Sequence, residues 1–218
     1  MHIVRAVLIA IGFFGTAISC AQDTASYAAL DDQGDQLRAD FNRKVGSVRL
    51  LFVVDPICPT CLRGLADVNR DFLEGTTDAR VQTFVVYEPV LGTAHAAPWS
   101  RKAEATDVAK AAQLLHNAHV KGYWNASGAF GQLLSKGVAL KNADGPVYAW
   151  DVWLIYGPKA RWDGPAPPVP SLLMHQLGAL RGSARFPRLD SHVFAERVQA
   201  LLAQLPASTS NPATTPSP

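Results

Sequence analysis

Seven consecutive residues, Val48-Arg49-Leu50-Leu51-Phe52-Val53-Val54, are apolar and β-prone apart from one arginine, and they run straight into Asp55-Pro56-Ile57-Cys58-Pro59-Thr60-Cys61. A continuous apolar run of this length is what a strand buried on both faces needs, so it predicts a central strand with helices on either side. Pro56 has no N–H for a ladder and stops the strand. Pro59 suits the first turn of a helix, where the missing N–H costs nothing. Cys61, Leu65, Val68 and Phe72 then recur at helical spacing, and Gly75 marks the end of that helix. Two thiols three positions apart at a helix start can close into a disulfide and open again, and the rest of the chain reads as a scaffold around them.

The next apolar run, Val81–Tyr87, predicts a second strand. Strand, helix and strand within about 40 residues make a βαβ unit, with the two strands parallel and the crossover right-handed. Before this unit, Leu37, Phe41 and Val45 predict a short amphipathic helix over Asp31–Val45. After it, Glu88–Trp99 reads as a loop leaving the same end of the sheet as the cysteines, and Ser100–His119 and Ser127–Lys136 read as helices. Pro146–Tyr156 is a third strand, and Ala160–Trp162 is expected to pair back on it as a short antiparallel one. A Pro-rich loop follows. Ser171–Leu180 is then expected to be a helix capped by Ser171, and a last helix runs from Asp190 or Ser191 through Leu205.

The chain of 218 residues is 48% hydrophobic with five tryptophans, ample for a folded core. Twenty basic residues stand against 18 acidic ones, with no Lys/Arg run, which gives no basis for nucleic-acid binding or for an electrostatic membrane patch. The three cysteines are too few for a disulfide framework. Cys58 and Cys61 go together by spacing, and the first segment accounts for Cys20. Arg5 is followed by 13 almost wholly apolar residues, Ala6–Ile18, too short to span a bilayer, and then by small residues. This is the pattern of a secretory signal. Ser19-Cys20-Ala21 fits cleavage after Ala21, whereas Ala17-Ile18-Ser19-Cys20 resembles a bacterial lipobox, which would leave Cys20 to carry a lipid. Either exit places the mature chain outside the cytoplasm, in the periplasm or an equivalent compartment, where disulfides persist. The expected organisation is a signal over 1–21, an extension with a helix over 22–45, an α/β domain over 46–205, and a tail over 206–218 of Pro, Ser, Thr, Ala and Asn expected to be disordered.

At the helix start the partial positive charge favours thiolate over thiol. A contribution of up to about 2 kcal/mol could bring Cys58 from about 8.5 to about 7. Cys58 then forms the mixed disulfide, and Cys61, one turn inside, resolves it.

The order strand–helix–strand–helix–strand–strand–helix, with Cys-Pro-Thr-Cys opening the first core helix, resembles the thioredoxin-like superfamily over roughly Val45–Leu205. The stretches Lys121–Leu140 and Asp163–Leu189 stand as insertions. The resemblance implies a three-layer fold with a central mixed sheet, a thiol–disulfide oxidoreductase activity without a cofactor, and protein thiols or disulfides of the cell envelope as partners. Pro59 and Thr60 would support the pair. The family's cis-proline sits just before the third strand and faces the thiols, and Pro146 is the residue available for it. Should that strand begin at Trp150, its place falls to Ala149 or Trp150. Ile57 stands where the family has Trp, and Phe52 where it has a buried acid.

Two other readings use the same fold. Copper-delivery proteins join a Cys pair to a distant His, which here gives Cys58, Cys61 and His175, with His95 as second choice. A non-catalytic envelope protein could keep the fold for binding. Glu88, ending the second strand, could carry a proton for Cys61. Asp151, between Trp150 and Trp153, reads as a buried structural acid.

Overall fold

The computed structural model describes residues 27–206, so the signal, Cys20 and the Pro/Ser/Thr tail expected from the sequence lie outside the described residues. A six-stranded sheet has the order β1-β4-β3-β2-β7-β8. It is built from β1 (Tyr27–Ala29), β2 (Val48–Val54), β3 (Val81–Tyr87), β4 (Val120–Trp124), β7 (Val152–Tyr156) and β8 (Leu172–His175). All seven residues of β2 are buried, and so are all seven of β3, as their unbroken apolar runs require. The two pair in parallel from Val48↔Val81 to Val54↔Tyr87, joined by α2 (Pro59–Val68). On its other side β2 pairs antiparallel with β7, and β7 pairs antiparallel with β8.

Alternate residues of β2 feed two separate cores. Leu50, Phe52 and Val54 face α2, α3 (Ala105–Ala112) and α5 (Ser191–Leu202), packing with Leu65, Val68, Val108, Phe194 and Val198. Leu51 and Val53 face α1 (Asp35–Arg43) and α4 (Phe130–Val138), packing with Leu37, Phe41, Phe130 and Leu134. A parallel βαβ unit, an antiparallel β7–β8 pair, a last helix and helices on both faces make the three-layer thioredoxin-like fold.

Arg49, the polar residue in the β2 run, is fully buried. Its guanidinium donates to the carbonyls of Ala160 (2.8 Å) and Gly157 (2.6 Å) and lies 4.4 Å from the Phe41 ring centroid. It therefore ties the turn after β7 to α1. Asp40 of α1 binds Lys121 and Tyr123 of β4, at 2.5 and 2.6 Å, tying the same helix to the other side of the sheet's α1 face.

Several expected elements need correction. Ser171–Leu180 is not a helix. Leu172–His175 is the edge strand β8, and only Gly178–Leu180 turns, as a short 3-10 segment. Ala160–Trp162 is not a strand, since β8 takes the place beside β7. Neither stretch set apart as an insertion is outside the sheet: β4 falls in the first and β8 in the second. The helix expected over Ser100–His119 is limited to Ala105–Ala112. The third strand starts at Val152 rather than Pro146. Gly145–Pro146 (β6) instead forms a two-stranded ribbon with Lys141–Asn142 (β5).

Candidate redox site

The site stands at the carboxyl end of β2. Asp55, read from the sequence only as the end of the strand, holds the loop together. Its Oδ1 accepts from the Ile57 amide at 2.9 Å, and its Oδ2 accepts from the Val90 and Leu91 amides, each at 2.8 Å. One fully buried carboxylate thus fixes the loop before the thiols to the loop after β3. Burial is the main influence on its carboxyl and raises the pKa, against these three amide hydrogen bonds. Cys58 is then the N-cap of α2, with extended backbone, and Pro59 occupies the first helical position.

Both thiols are buried, Cys58 with 4% of its surface exposed and Cys61 with none, so Cys58 is the outward one. Their acidities diverge. Hydrogen bonding from the Cys61 thiol, followed by the Thr60 hydroxyl and the Cys61 amide, pulls the Cys58 pKa down to about 6, against the opposing effects of burial and the Asp151 charge. Burial first, then the hydrogen bond with Cys58 and the Asp151 charge, pushes Cys61 well above the usual thiol range. The outer sulfur is therefore the thiolate and the inner one stays protonated.

Asp151 completes the site: it is buried and hydrogen-bonded, as the sequence suggested, and it stands against the thiols. It lies directly before β7 with φ 48°, a left-handed conformation that Asp adopts more readily than most residues. It precedes Trp153 and Ile155 on the β7 face that packs with both cysteines, so its side chain faces the thiols. Its carboxylate lies within 4.8 Å of both cysteine sulfurs and is 2% exposed as a residue. Thr60 Oγ1 is 3.0 Å from Asp151 Oδ2 and 3.0 Å from Cys58 Sγ. With its amide oriented so that nitrogen meets acceptors, Gln176 donates to Asp151 Oδ1 at 2.8 Å and to the Thr60 carbonyl at 2.9 Å. Burial raises the Asp151 pKa, against the hydrogen bonds from Thr60, Trp153 and Cys61.

Of the residues expected from the sequence, Cys58, Pro59, Thr60 and Cys61 come together. Pro146 does not. It is exposed in β6, and no peptide bond among the described residues is cis, so Asp151 rather than a proline precedes the third strand and faces the thiols. Glu88 is buried on the other side, accepting from the Gly131 amide at 3.2 Å beside Tyr148, and the carboxyl that hydrogen-bonds Cys61 is that of Asp151. His95 stacks on Tyr148 with ring centroids 4.1 Å apart. His175 is fully buried with both ring nitrogens engaged: Nδ1 accepts from the Leu177 amide, and Nε2 faces the Phe186 carbonyl, each at 3.0 Å. It is not a third ligand for the cysteines. Their third neighbour is a carboxylate, a hard donor that does not suit copper(I), which prefers thiolate and thioether sulfur. A sequence signal for Asp151 did exist: a lone acid inside the Trp150–Trp153 apolar run has to be buried with partners.

Fold and site together define a thioredoxin-like α/β protein with a dithiol at a helix N-terminus and a buried acid beside it. No protein-family model and no curated protein matches the chain. Among solved structures, a secreted disulfide oxidoreductase from Mycobacterium tuberculosis, homologous to E. coli DsbE, superposes with a TM-score of 0.42 and 13% identity, covering 83% of this chain and 100% of that one. The match is too loose to transfer an activity.

Proposed function

We propose that this protein is a thiol–disulfide oxidoreductase acting outside the cytoplasm on protein thiols or disulfides of the cell envelope. The observation that carries this reading is the placement of two thiols at one helix start: Cys58 caps α2 as the outward sulfur, and Cys61 is buried in its first turn with a carboxylate beside both. In the reducing direction, Cys58 thiolate attacks a substrate disulfide, forming the mixed disulfide and releasing one substrate thiolate. Cys61 loses its proton and attacks Cys58 Sγ. The 58–61 bond forms, the mixed disulfide breaks, and the second substrate thiolate leaves. Two electrons pass to substrate, and the reverse sequence oxidises a dithiol.

The extracytoplasmic part of the reading rests on the leading apolar segment of the sequence. Among the described residues no helix is long and apolar enough to cross a membrane, and a lipid on Cys20 is one route by which the mature chain would be held at a membrane. The copper reading loses the histidine it relied on. A reductive assay on insulin tests the central activity: the mature chain should precipitate insulin in the presence of a dithiol donor, and Cys58→Ser should abolish the turnover. Equal rates for wild type and Cys58→Ser would overturn the assignment.

A further inference from the structure

Thr60 has one hydroxyl hydrogen and two partners, Cys58 Sγ and Asp151 Oδ2, each at 3.0 Å. A hydroxyl donates to one partner at a time. When it donates to an ionised Asp151, the Cys58 thiol must donate to it. When it donates to a Cys58 thiolate, Asp151 must carry the proton and donate to Thr60. Gln176 favours the second arrangement as well as the first, because it occupies Oδ1 as a donor and leaves Oδ2 as the oxygen that takes the hydrogen.

We propose that Asp151 exchanges a proton with Cys58 through the Thr60 hydroxyl, so that the attacking thiolate forms by transfer within the protein. The S–H bond of Cys58 breaks toward Thr60 Oγ1, the hydrogen already on Oγ1 passes to Asp151 Oδ2, and neither total charge nor electron count changes. This deepens the redox reading above and rests on it for its purpose, though the proton exchange itself needs no substrate. Once Cys58 is in a mixed disulfide, Asp151 is free to return its proton to the departing thiolate. As carboxylate it then faces the Cys61 thiol, its remaining hydrogen-bonded sulfur neighbour.

The other ionisable groups around the relay are identifiable. Cys61 on α2 and Asp55 at the end of β2 adjoin the thiols, Arg188 acts on Asp151 through its charge, and His175 on β8 is engaged with backbone at both nitrogens. The Asp55 carboxylate is taken up by three amides, so it cannot replace the Asp151 proton.

The test is the rate of Cys58 alkylation by iodoacetamide as a function of pH in the full mature chain, with the modified residue identified by mass. Two groups sharing a proton titrate in two macroscopic steps. Wild type should show two inflections and Asp151→Asn one. Thr60→Val should move the thiol upward by about one unit, which is about fivefold slower alkylation at pH 6, and Thr60→Ser should restore the wild-type profile. A Thr60→Val profile that superposes on wild type, or two steps retained in Asp151→Asn, would overturn the relay. Failure of the redox reading would show instead as insulin reduction unaffected by Cys58→Ser, with the alkylation profiles unchanged by that result.

Discussion

Asp151 sits in a left-handed backbone conformation, almost fully buried, with a carboxyl whose pKa is raised above the ordinary 3.8. Between pH 3.8 and the raised folded value, the native state holds a proton that the unfolded chain has lost, so stability falls as pH rises through that window and stays lower above it. Asp151→Asn keeps a residue tolerant of the same backbone and removes the buried charge. Thermal melts should show it more stable than wild type by a few degrees at pH 8 and no more stable at pH 4. The opposite order would mean the carboxylate is a net stabiliser. Cys58 has the reverse linkage. Its folded pKa of about 6 against an ordinary 9.0 stabilises the dithiol form increasingly as pH rises above 6, and that contribution is lost as pH falls through 6. At pH 7 it amounts to about 1.4 kcal/mol, or about 30 mV toward a more oxidising couple. At this scale the thiols were legible from spacing and helix chemistry, and Asp151 was legible as a buried acid but not as the thiols' neighbour. Alternation puts it on the face of Trp153 and Ile155, but that this face meets the thiols depends on β7 pairing beside β2, which local sequence does not specify. Glu88, by contrast, follows Phe84 and Val86 on the face away from the thiols, as alternation along β3 places it.

Helix α2 reaches the sheet through Gly64, where an added Cβ would stand 2.4 Å from the Trp153 ring and 2.9 Å from the Gln176 side-chain amide. The two neighbours it would disturb are the residue after Asp151 on β7's face and the residue that holds Asp151 itself. Gly64→Ala would gain helix propensity, about 1 kcal/mol, but force the indole out of a packed core, a cost of about 1–3 kcal/mol. Chemical denaturation should show a net loss, and the Cys58 alkylation profile should shift with it because Gln176 moves. A stabilised variant with an unchanged profile would show that α2 can slide without disturbing the site. The central βαβ unit and the outer helices could be read from periodicity, because their apolar patterns are long. Leu172–His175 could not. Four residues of Leu-Leu-Met-His carry no period that separates strand from helix, and only pairing with β7 decides between them. β4 was hidden the same way: five residues, with only Gly122 and Tyr123 buried, that become a strand by lying beside β3.

Across the whole molecule, two cores on opposite faces hold one central strand whose end carries the loop, the thiols and, from β7, the acid. The fold class followed from the Val48–Val54 run and the Cys-Pro-Thr-Cys that follows it, because both demand a central strand feeding a helix. The facing residue came from the far side of the chain, 90 residues after Cys61, through an antiparallel pairing that local sequence does not specify. The account's central claim is that Cys58 and Cys61 are a reversible two-electron couple. Equilibrating the mature protein in glutathione buffers of graded potential at pH 7, then trapping free thiols and counting them by mass, tests it most directly. The account predicts a single two-electron transition between dithiol and 58–61 disulfide, at a potential above about −270 mV as a stabilised thiolate requires. Two thiols that stay in one state across the whole range, or a couple well below that value, would contradict it.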